Sequence, residues 1–261
     1  MDIDNQTSPQ GKPPSAAFVG LHARVLEQLG MAVCDQELAS GSIVKIEDLE
    51  RQHKVSRSVI REAIRVLESM GMVSSRRRVG ILVLEPSNWN LFDPQIIRWR
   101  LATRSRIAQL RAITEFRMAI EPEAARLAAA RAPLRQASDL MGLAGRLWAA
   151  GEAGDQEAFL KLDIEFHSLV LASSGNEMFA KLDNLVSEIL AGRTNYGLMP
   201  AHPHEEALQL HVDVATAIQR GDPEVARLSM LRIMERTMSE MNSMWDSPHQ
   251  SSEFIRQAEF D

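Results

Sequence analysis

Apolar positions recur at helical spacing through the first third of the chain and then give way to short alternating stretches. Leu21, Val25 and Leu29, for example, follow one another at intervals of four residues, as on one face of an amphipathic helix. The pattern predicts three helices followed by the two strands of a hairpin, over about residues 18–38, 46–53, 56–70, 72–75 and 81–84.

Beyond residue 94 every long segment has a period of 3.6 residues, and no strand pattern remains. Helices are predicted there over roughly residues 94–103, 105–131, 133–151, 155–173, 177–197, 205–220 and 223–245. The fold class is therefore expected to be mainly all-α. It would combine three helices and a small β-hairpin with a C-terminal antiparallel bundle of six or seven helices.

Turn-forming residues mark the predicted domain boundaries along the chain. We expect a disordered arm at 1–17, a first domain at 18–85, a linker at 86–93, a helical domain at 94–245 and a C-terminal tail at 246–261. The single cysteine, Cys34, excludes an internal disulfide framework. No run of about 18 uncharged apolar residues occurs, and the N-terminus is polar, so a cytoplasmic protein without a membrane partner is expected.

Charge is distributed unevenly along the chain. The formal net charge is −6, yet residues 51–78 contain eight arginines and lysines against two acids. A basic island in an acidic protein is typical of a local site for a polyanion. A solvated charged face is the alternative interpretation of the same pattern.

The predicted helix over 56–70 concentrates this basic charge on one side. Ser56 is suited to cap the helix, because its hydroxyl can accept a hydrogen bond from a backbone amide one turn on. Arg57 and Arg61 are four residues apart and share the face opposite the apolar stripe. Two guanidinium groups at the start of an amphipathic helix suit contacts with guanine edges and phosphates in a DNA major groove. With the preceding helix over 46–53, this segment would form a helix-turn-helix.

The hairpin that follows is expected to act as a wing beside that helix. Its arginines would contact phosphates, and Gly80 would let the tip approach a minor groove closely. The residues expected to contact DNA are Ser56, Arg57, Ser58, Arg61, Arg76, Arg77, Arg78 and Gly80.

The sequence Val-Ser-Arg-Ser-Val-Ile-Arg-Glu-Ala-Ile-Arg-Val-Leu-Glu from Val55, with Gly71-Met-Val and Arg77-Arg-Val-Gly, resembles the winged helix-turn-helix of the GntR family of bacterial transcription regulators. The resemblance implies that Arg57 and Arg61 read bases and phosphates and that Gly80 forms the wing tip. One departure is Glu47, which stands where the family usually has an arginine. An acid cannot bind phosphate there.

Three ionisable residues in the second half lie on apolar stripes. Asp163 and His167 are an i, i+4 pair whose face also contains Phe159 and Val170, and His211 lies among Ala, Leu and Val residues. Two imidazoles and a carboxylate in a bundle suit a three-ligand site for zinc or a similar divalent ion. The alternative is a buried Asp–His hydrogen bond and an unrelated core histidine.

Arg117 also lies on a largely apolar stripe, and two interpretations remain open for it. Its guanidinium could pair with Glu121, four residues on. It could instead clamp the carboxylate of a small effector molecule.

The stretch Glu115-Phe-Arg-Met-Ala-Ile-Glu, the Asp163 and His167 pair, Ser174-Gly-Asn and His211 resemble the FCD effector domain of FadR-like members of the same family. The resemblance implies a metal held by Asp163, His167 and His211, with Ile233 at the place of the fourth family ligand, a histidine. It also implies that Arg117 and Asn176 bind a small organic acid.

Together these features predict a homodimeric repressor that binds operator DNA and responds to a small carboxylate such as a sugar acid. Dimerisation is expected because two-fold pairing matches two half-sites. The protein is not expected to be an enzyme. The rival hypothesis is a metal-dependent enzyme in which Asp163, His167 and His211 hold a catalytic ion.

Overall fold

The computed structural model of the chain describes residues 16–195 and 203–245 and divides into two units between Leu91 and Phe92. The predicted tail at 246–261 and all but the last two residues of the predicted arm lie outside the described residues. Those two residues, Ala16 and Ala17, begin the first helix.

The first unit is a helix-turn-helix followed by a hairpin. Its elements are α1 (Ala16–Cys34), β1 (Ile43–Val44), α2 (Ile46–His53), α3 (Arg57–Ser69), β2 (Val73–Arg76) and β3 (Gly80–Val83). Helix α2 ends at His53, and the left-handed backbone of the next residue, Lys54, turns the chain toward α3. Helices α1 and α3 pack against each other through apolar faces that bury Val25, Leu29, Ala63 and Leu67.

A third strand extends the predicted hairpin. The sheet is antiparallel with the order β1-β3-β2, and Val44 is opposite Ile81. Strand β1 has only two residues, too few for an alternating pattern to predict that it pairs with the hairpin.

The sheet also explains Gly80 differently from the sequence prediction. Gly80 pairs with Arg76 at the first position of β3, so Arg77 and Arg78 lie nearer the tip of the wing. Its φ is 137°, and a Cβ there would lie 2.8 Å from the carbonyl oxygen of Val44. Glycine is required at this position because β1 passes close behind it.

The second unit is a helical bundle. Its elements are α4 (Pro94–Ala102), α5 (Arg106–Arg131), α6 (Leu134–Ala153), α7 (Gln156–Ser173), α8 (Glu177–Ala180), α9 (Asp183–Asn195), α10 (Glu205–Arg220) and α11 (Pro223–Trp245). Helix α5 packs against α7, α10 and α11, and α6 packs against α7 and α10. Apolar side chains between these helices form the core. None of the helices in the described part of the chain is long and apolar enough to cross a membrane.

The mainly helical fold class is confirmed, with one correction to the helix count. The single helix predicted over 177–197 is two helices, α8 and α9, so the described part of the bundle has eight rather than six or seven. The amide of Leu182 bonds to the carbonyl of Phe179, a tight turn that interrupts the helix between them. The turn leaves α9 free to bury Leu185 and Ile189 in the core.

Candidate functional site

A basic face covers α3 and the hairpin in the first unit. Arg57, Ser58 and Arg61 are exposed on α3, while Val59 and Ala63 are buried on its other side. The basic face is lined by Lys45, Ile46, Glu47, Arg57, Arg61, Ile64, Arg65, Glu68, Ser75, Arg76, Arg77, Arg78, Val79, Gly80 and Ile81. The structure therefore brings the predicted arginines of helix and wing to one concave surface.

Two details at the start of α3 differ from the sequence analysis. Ser56 occupies the N-cap position, but its hydroxyl makes a hydrogen bond of 2.9 Å with the hydroxyl of Ser58 instead of capping a backbone amide. Arg57 is paired with an acid, since its Nη1 lies 2.9 Å from Oε1 of Glu47. Within the described residues, no carboxylate pairs with Arg61, which leaves its donors available to a ligand.

A buried polar cluster occupies the centre of the second unit. Helix α5 supplies Arg117 and Glu121, α7 supplies Asp163 and His167, and α10 supplies His211. Each pair on one helix is separated by four residues and therefore projects from the same face. All five side chains are buried, and those of Arg117 and Glu121 are only 1% exposed.

The Glu121 carboxylate joins two cationic groups of this cluster. One oxygen accepts from Nε of Arg117, and the other accepts from Nη2 of Arg117 at 3.3 Å and from Nδ1 of His167 at 2.5 Å. The ion pair with Glu121 that the sequence offered for Arg117 is thus present. The second interpretation stays open, because Nη1 of Arg117 is buried without a hydrogen-bond partner among the described residues.

The two imidazole rings are oriented by bonds on their far sides. Nδ1 of His211 donates to the carbonyl of Ala207 at 2.7 Å, as Nδ1 of His167 does to Glu121. Both Nε2 atoms therefore point inward, toward Oδ1 of Asp163, at 3.4 Å from His167 and 3.2 Å from His211. Acceptors on the outer nitrogens keep protons there and orient the inner nitrogens toward the place of a ligand.

Burial and charge set the protonation of the cluster. Burial alone would raise the pKa of Glu121, but Arg117 and His167 outweigh it and lower the pKa to about 2. Burial would likewise lower the pKa of His167, but Glu121 and Asp163 raise it to about 9. Burial would raise the pKa of Asp163, but the two histidines beside it outweigh that effect and hold the pKa well below its usual range. Without an ion, His167 is therefore an imidazolium between two carboxylates.

The donor set of Asp163, His167 and His211 fits a divalent ion. Their ligand atoms lie within 4.8 Å of one another. Oδ1 of Asp163 and Nε2 of His211 are buried and lack a well-formed hydrogen bond to any described residue. Two imidazole nitrogens and one carboxylate oxygen are ligands that zinc accepts, and three protein ligands leave positions for another molecule.

A cavity of about 50 Å³ adjoins these donors. Ile233 lines it, so the position implied for a fourth ligand faces the site with an apolar side chain. Arg193 on α9 lines it as well, and its Nε is buried without a hydrogen-bond partner in the described structure. Burial and the nearby Arg117 lower the pKa of Arg193 to about 10. The cavity therefore presents two guanidinium groups beside the candidate metal ligands.

The sequence-predicted effector residues do not all reach this cavity. Arg117 lines it, but Asn176 does not, because its side chain caps α8 by accepting from the amide of Met178 at 3.0 Å. Arg193 was missed. It follows the buried Val186 and Ile189 at spacings of seven and four residues, which is the same stripe argument that singled out Asp163.

Comparisons with known proteins agree with the two units. The model of the bacterial regulatory proteins of the gntR family matches residues 21–83, and the model of the FCD domain matches residues 112–236. The galactonate operon transcriptional repressor of Escherichia coli K12 is 28% identical over 225 residues, which are 84% of this chain and 96% of that protein. The uncharacterized transcriptional regulator YieP of the same organism is 27% identical over 212 residues, covering 81% and 91%.

A solved structure shares the fold. It is that of Lar, which controls the expression of the Listeria monocytogenes agr system, and it is 16% identical with a TM-score of 0.50. The match covers 90% of this chain and 100% of that chain. The two relatives from Escherichia coli are named as transcription regulators, so the expectation that this chain is not an enzyme is confirmed, and the metal-dependent enzyme is not supported.

Replacing Glu121 with glutamine should destabilise the second unit by about 3 kcal/mol, because Arg117 would keep its charge in the interior without a counterion and His167 would lose one of its two carboxylate partners. The matched control is Glu123→Gln on the same helix. Glu123 also pairs with an arginine, Arg126, but both are partly exposed, and the change should stay within about 0.5 kcal/mol. Chemical denaturation measures both, and equal effects would show that the buried charge balance does not matter.

Proposed function

Because the chain belongs to the FadR-like subfamily of the GntR family of bacterial transcription regulators, with an FCD domain, we propose that it is a repressor released from DNA by a small carboxylate. The observation that carries this proposal is the convergence of two imidazole nitrogens and a carboxylate beside two buried guanidinium groups. DNA is bound by the first unit, and the acid is bound by the second.

DNA recognition is assigned to the basic face. Helix α3 enters the major groove with Arg57 and Arg61 directed toward base edges and phosphates. Ser56 and Ser58 lie close to the sugar-phosphate backbone of the DNA. The wing arginines, Arg76, Arg77 and Arg78, contact phosphates beside it. Gly80 shapes the wing by its approach to β1 rather than by touching DNA.

A single α3 offers few base contacts, so we assign the protein a homodimeric state on DNA. Two copies related by a two-fold axis would place two recognition helices in successive major grooves of a palindromic operator. The basic faces of the two copies then bind the same DNA duplex.

The effector site combines a metal ion with an arginine. Asp163, His167 and His211 hold the ion, which we take to be zinc or a similar divalent cation, and the ion supplies open positions for a carboxylate oxygen. Arg117 offers to the same acid its Nη1, which has no hydrogen-bond partner among the described residues. The galactonate operon repressor among the relatives supports a sugar acid as the ligand. A cavity of about 50 Å³ suits the carboxylate end of such a molecule, so the remainder requires neighbouring side chains to move.

Release of DNA then follows from thermodynamic linkage. If the acid binds more tightly to the conformation that binds operator weakly, the acid lowers the affinity of the protein for operator. Operator then lowers the affinity for the acid by the same factor. Couplings of this kind typically correspond to about 5–150-fold changes in affinity.

Arg61→Ala should weaken operator binding by more than tenfold, since a lost guanidinium contact costs about 1–3 kcal/mol in each half-site. The probe is a duplex that the wild-type protein enriches from a randomised pool, and affinities are compared at one salt concentration. Arg146→Ala, which removes an exposed arginine from α6, is the control and should leave the affinity unchanged. An Arg61→Ala protein that binds within twofold of wild type would contradict the assignment of α3.

His167→Ala should lose both zinc and the response to acids while it still binds operator. The metal content of protein purified without chelator, and release of the enriched duplex by a panel of sugar acids, are the two measurements. Retained operator binding shows that the first unit is folded, and a helical circular dichroism signal and a denaturation transition like those of wild type show that the second unit is folded. His204→Ala, at an exposed histidine, should behave as wild type. An empty site in the wild-type protein, together with a full acid response in His167→Ala, would remove the metal from the proposal.

Zinc affinity should rise about tenfold per pH unit between about pH 7 and 8.5. In that range His167 is protonated before the ion arrives, because its pKa is about 9, and zinc must displace that proton from Nε2. Raising the pH toward the pKa of His167 weakens this competition. Calorimetry in two buffers of different ionisation enthalpy should report about one proton released per ion. A pH-independent affinity would show that the ion does not bind through His167.

A further inference from the structure

An exposed ion pair joins the beginning of α2 to the beginning of α3. Nη1 of Arg57 donates to Oε1 of Glu47 at 2.9 Å, and the side chains are 56% and 58% exposed, respectively. Exposed pairs of this kind contribute little to folding, because water screens them and both side chains lose freedom. The ion pair therefore affects ligand binding by Arg57 more than it affects the stability of the fold.

Glu47 is placed unusually for a carboxylate, because it lies on the basic face. The other acid that lines this face within the described structure is Glu68, and it is engaged internally, since its Oε1 accepts from the backbone amide of Ser75 at 2.5 Å. Glu47 instead meets solvent beside Arg57. Its own backbone amide and then Arg57 lower the pKa of Glu47, so the negative charge persists at neutral pH.

A fixed negative charge at this place alters both kinds of DNA contact. It repels the phosphate backbone and offsets the attraction that Arg57 would otherwise add to any sequence. It also occupies one donor of the guanidinium and holds the group in one orientation. The remaining donors then have a set direction, as bidentate binding to N7 and O6 of guanine requires.

We propose that Glu47 is a positioning residue that makes Arg57 read a base instead of binding phosphates at any sequence. The inference rests on the proposed function, since it requires α3 to face DNA. The carboxylate weakens binding to arbitrary DNA, and the oriented guanidinium restores affinity only where a guanine lies opposite. Glu47 thereby increases the preference of the protein for its operator.

The test compares Glu47→Ala with wild type on two probes, the enriched duplex and a shuffled duplex of the same length. Glu47→Ala should bind the shuffled duplex about tenfold more tightly, and the preference for the enriched duplex should fall about tenfold. The salt dependence of binding to the shuffled duplex should steepen by about 0.9 per bound copy, because Arg57 gains a phosphate. Glu47→Gln keeps an acceptor for Arg57 without the charge, and should lose less preference than Glu47→Ala.

Asp48→Ala is the matched control. Asp48 is the next residue of α2 and also pairs with an arginine, Arg51, but it does not line the basic face. All three quantities should remain at the wild-type values in this variant. A merely structural or general charge effect would appear equally in both variants and would overturn the proposal.

The result that contradicts the proposal directly is a Glu47→Ala protein with unchanged affinity for the shuffled duplex and unchanged salt dependence. The Arg61→Ala variant separates this failure from a failure of the proposed function. If Arg61→Ala loses the enriched duplex while Glu47→Ala is neutral, only the role of Glu47 is wrong. If both variants bind as wild type, the basic face does not bind DNA and both proposals fall.

Discussion

The Glu121 carboxylate compensates two cations in the interior of the helical unit, and the geometry of the polar cluster depends on that compensation. An ionised group removed from water is costly unless partners replace its hydration. Arg117 and His167 are such groups, and each places a donor on Glu121. By accepting from Nδ1, Glu121 also turns Nε2 of His167 toward Asp163. His167 therefore owes its orientation to a residue that would not touch the metal.

Two of the Arg–Glu pairs, one in each unit, differ in what surrounds them. The pair of Arg117 and Glu121 is buried and has a strong influence on protonation, which lowers the pKa of Glu121 to about 2. The pair of Arg57 and Glu47 is largely exposed, so water screens it until another surface covers it. The same chemistry serves to hold charge in the core in one unit and to orient a donor at the surface in the other.

The sequence was informative wherever a periodic pattern extended over several turns. Helices α5, α10 and α11 are where the apolar period predicted them, and Asp163, His167 and His211 came together because each lay on a core-facing stripe. Patterns failed over short stretches. The turn between α8 and α9 is too short to alter a period, and Gly80 is explained by contact with β1, which no local pattern reveals. Asn176 was assigned to effector binding from the Ser-Gly-Asn motif, but in the structure its side chain caps α8.

Glu121 and the backbone of α10 orient the two imidazoles, and the proposed divalent ion is bound by both rings and Asp163. Anomalous diffraction at the zinc edge, from crystals of the zinc-loaded protein, is the direct test. One peak is expected at about 2.0–2.2 Å from Nε2 of His167, Nε2 of His211 and a carboxylate oxygen of Asp163. A map without a peak there, with Nε2 of His167 bonded to Asp163 in zinc-loaded crystals, would contradict it.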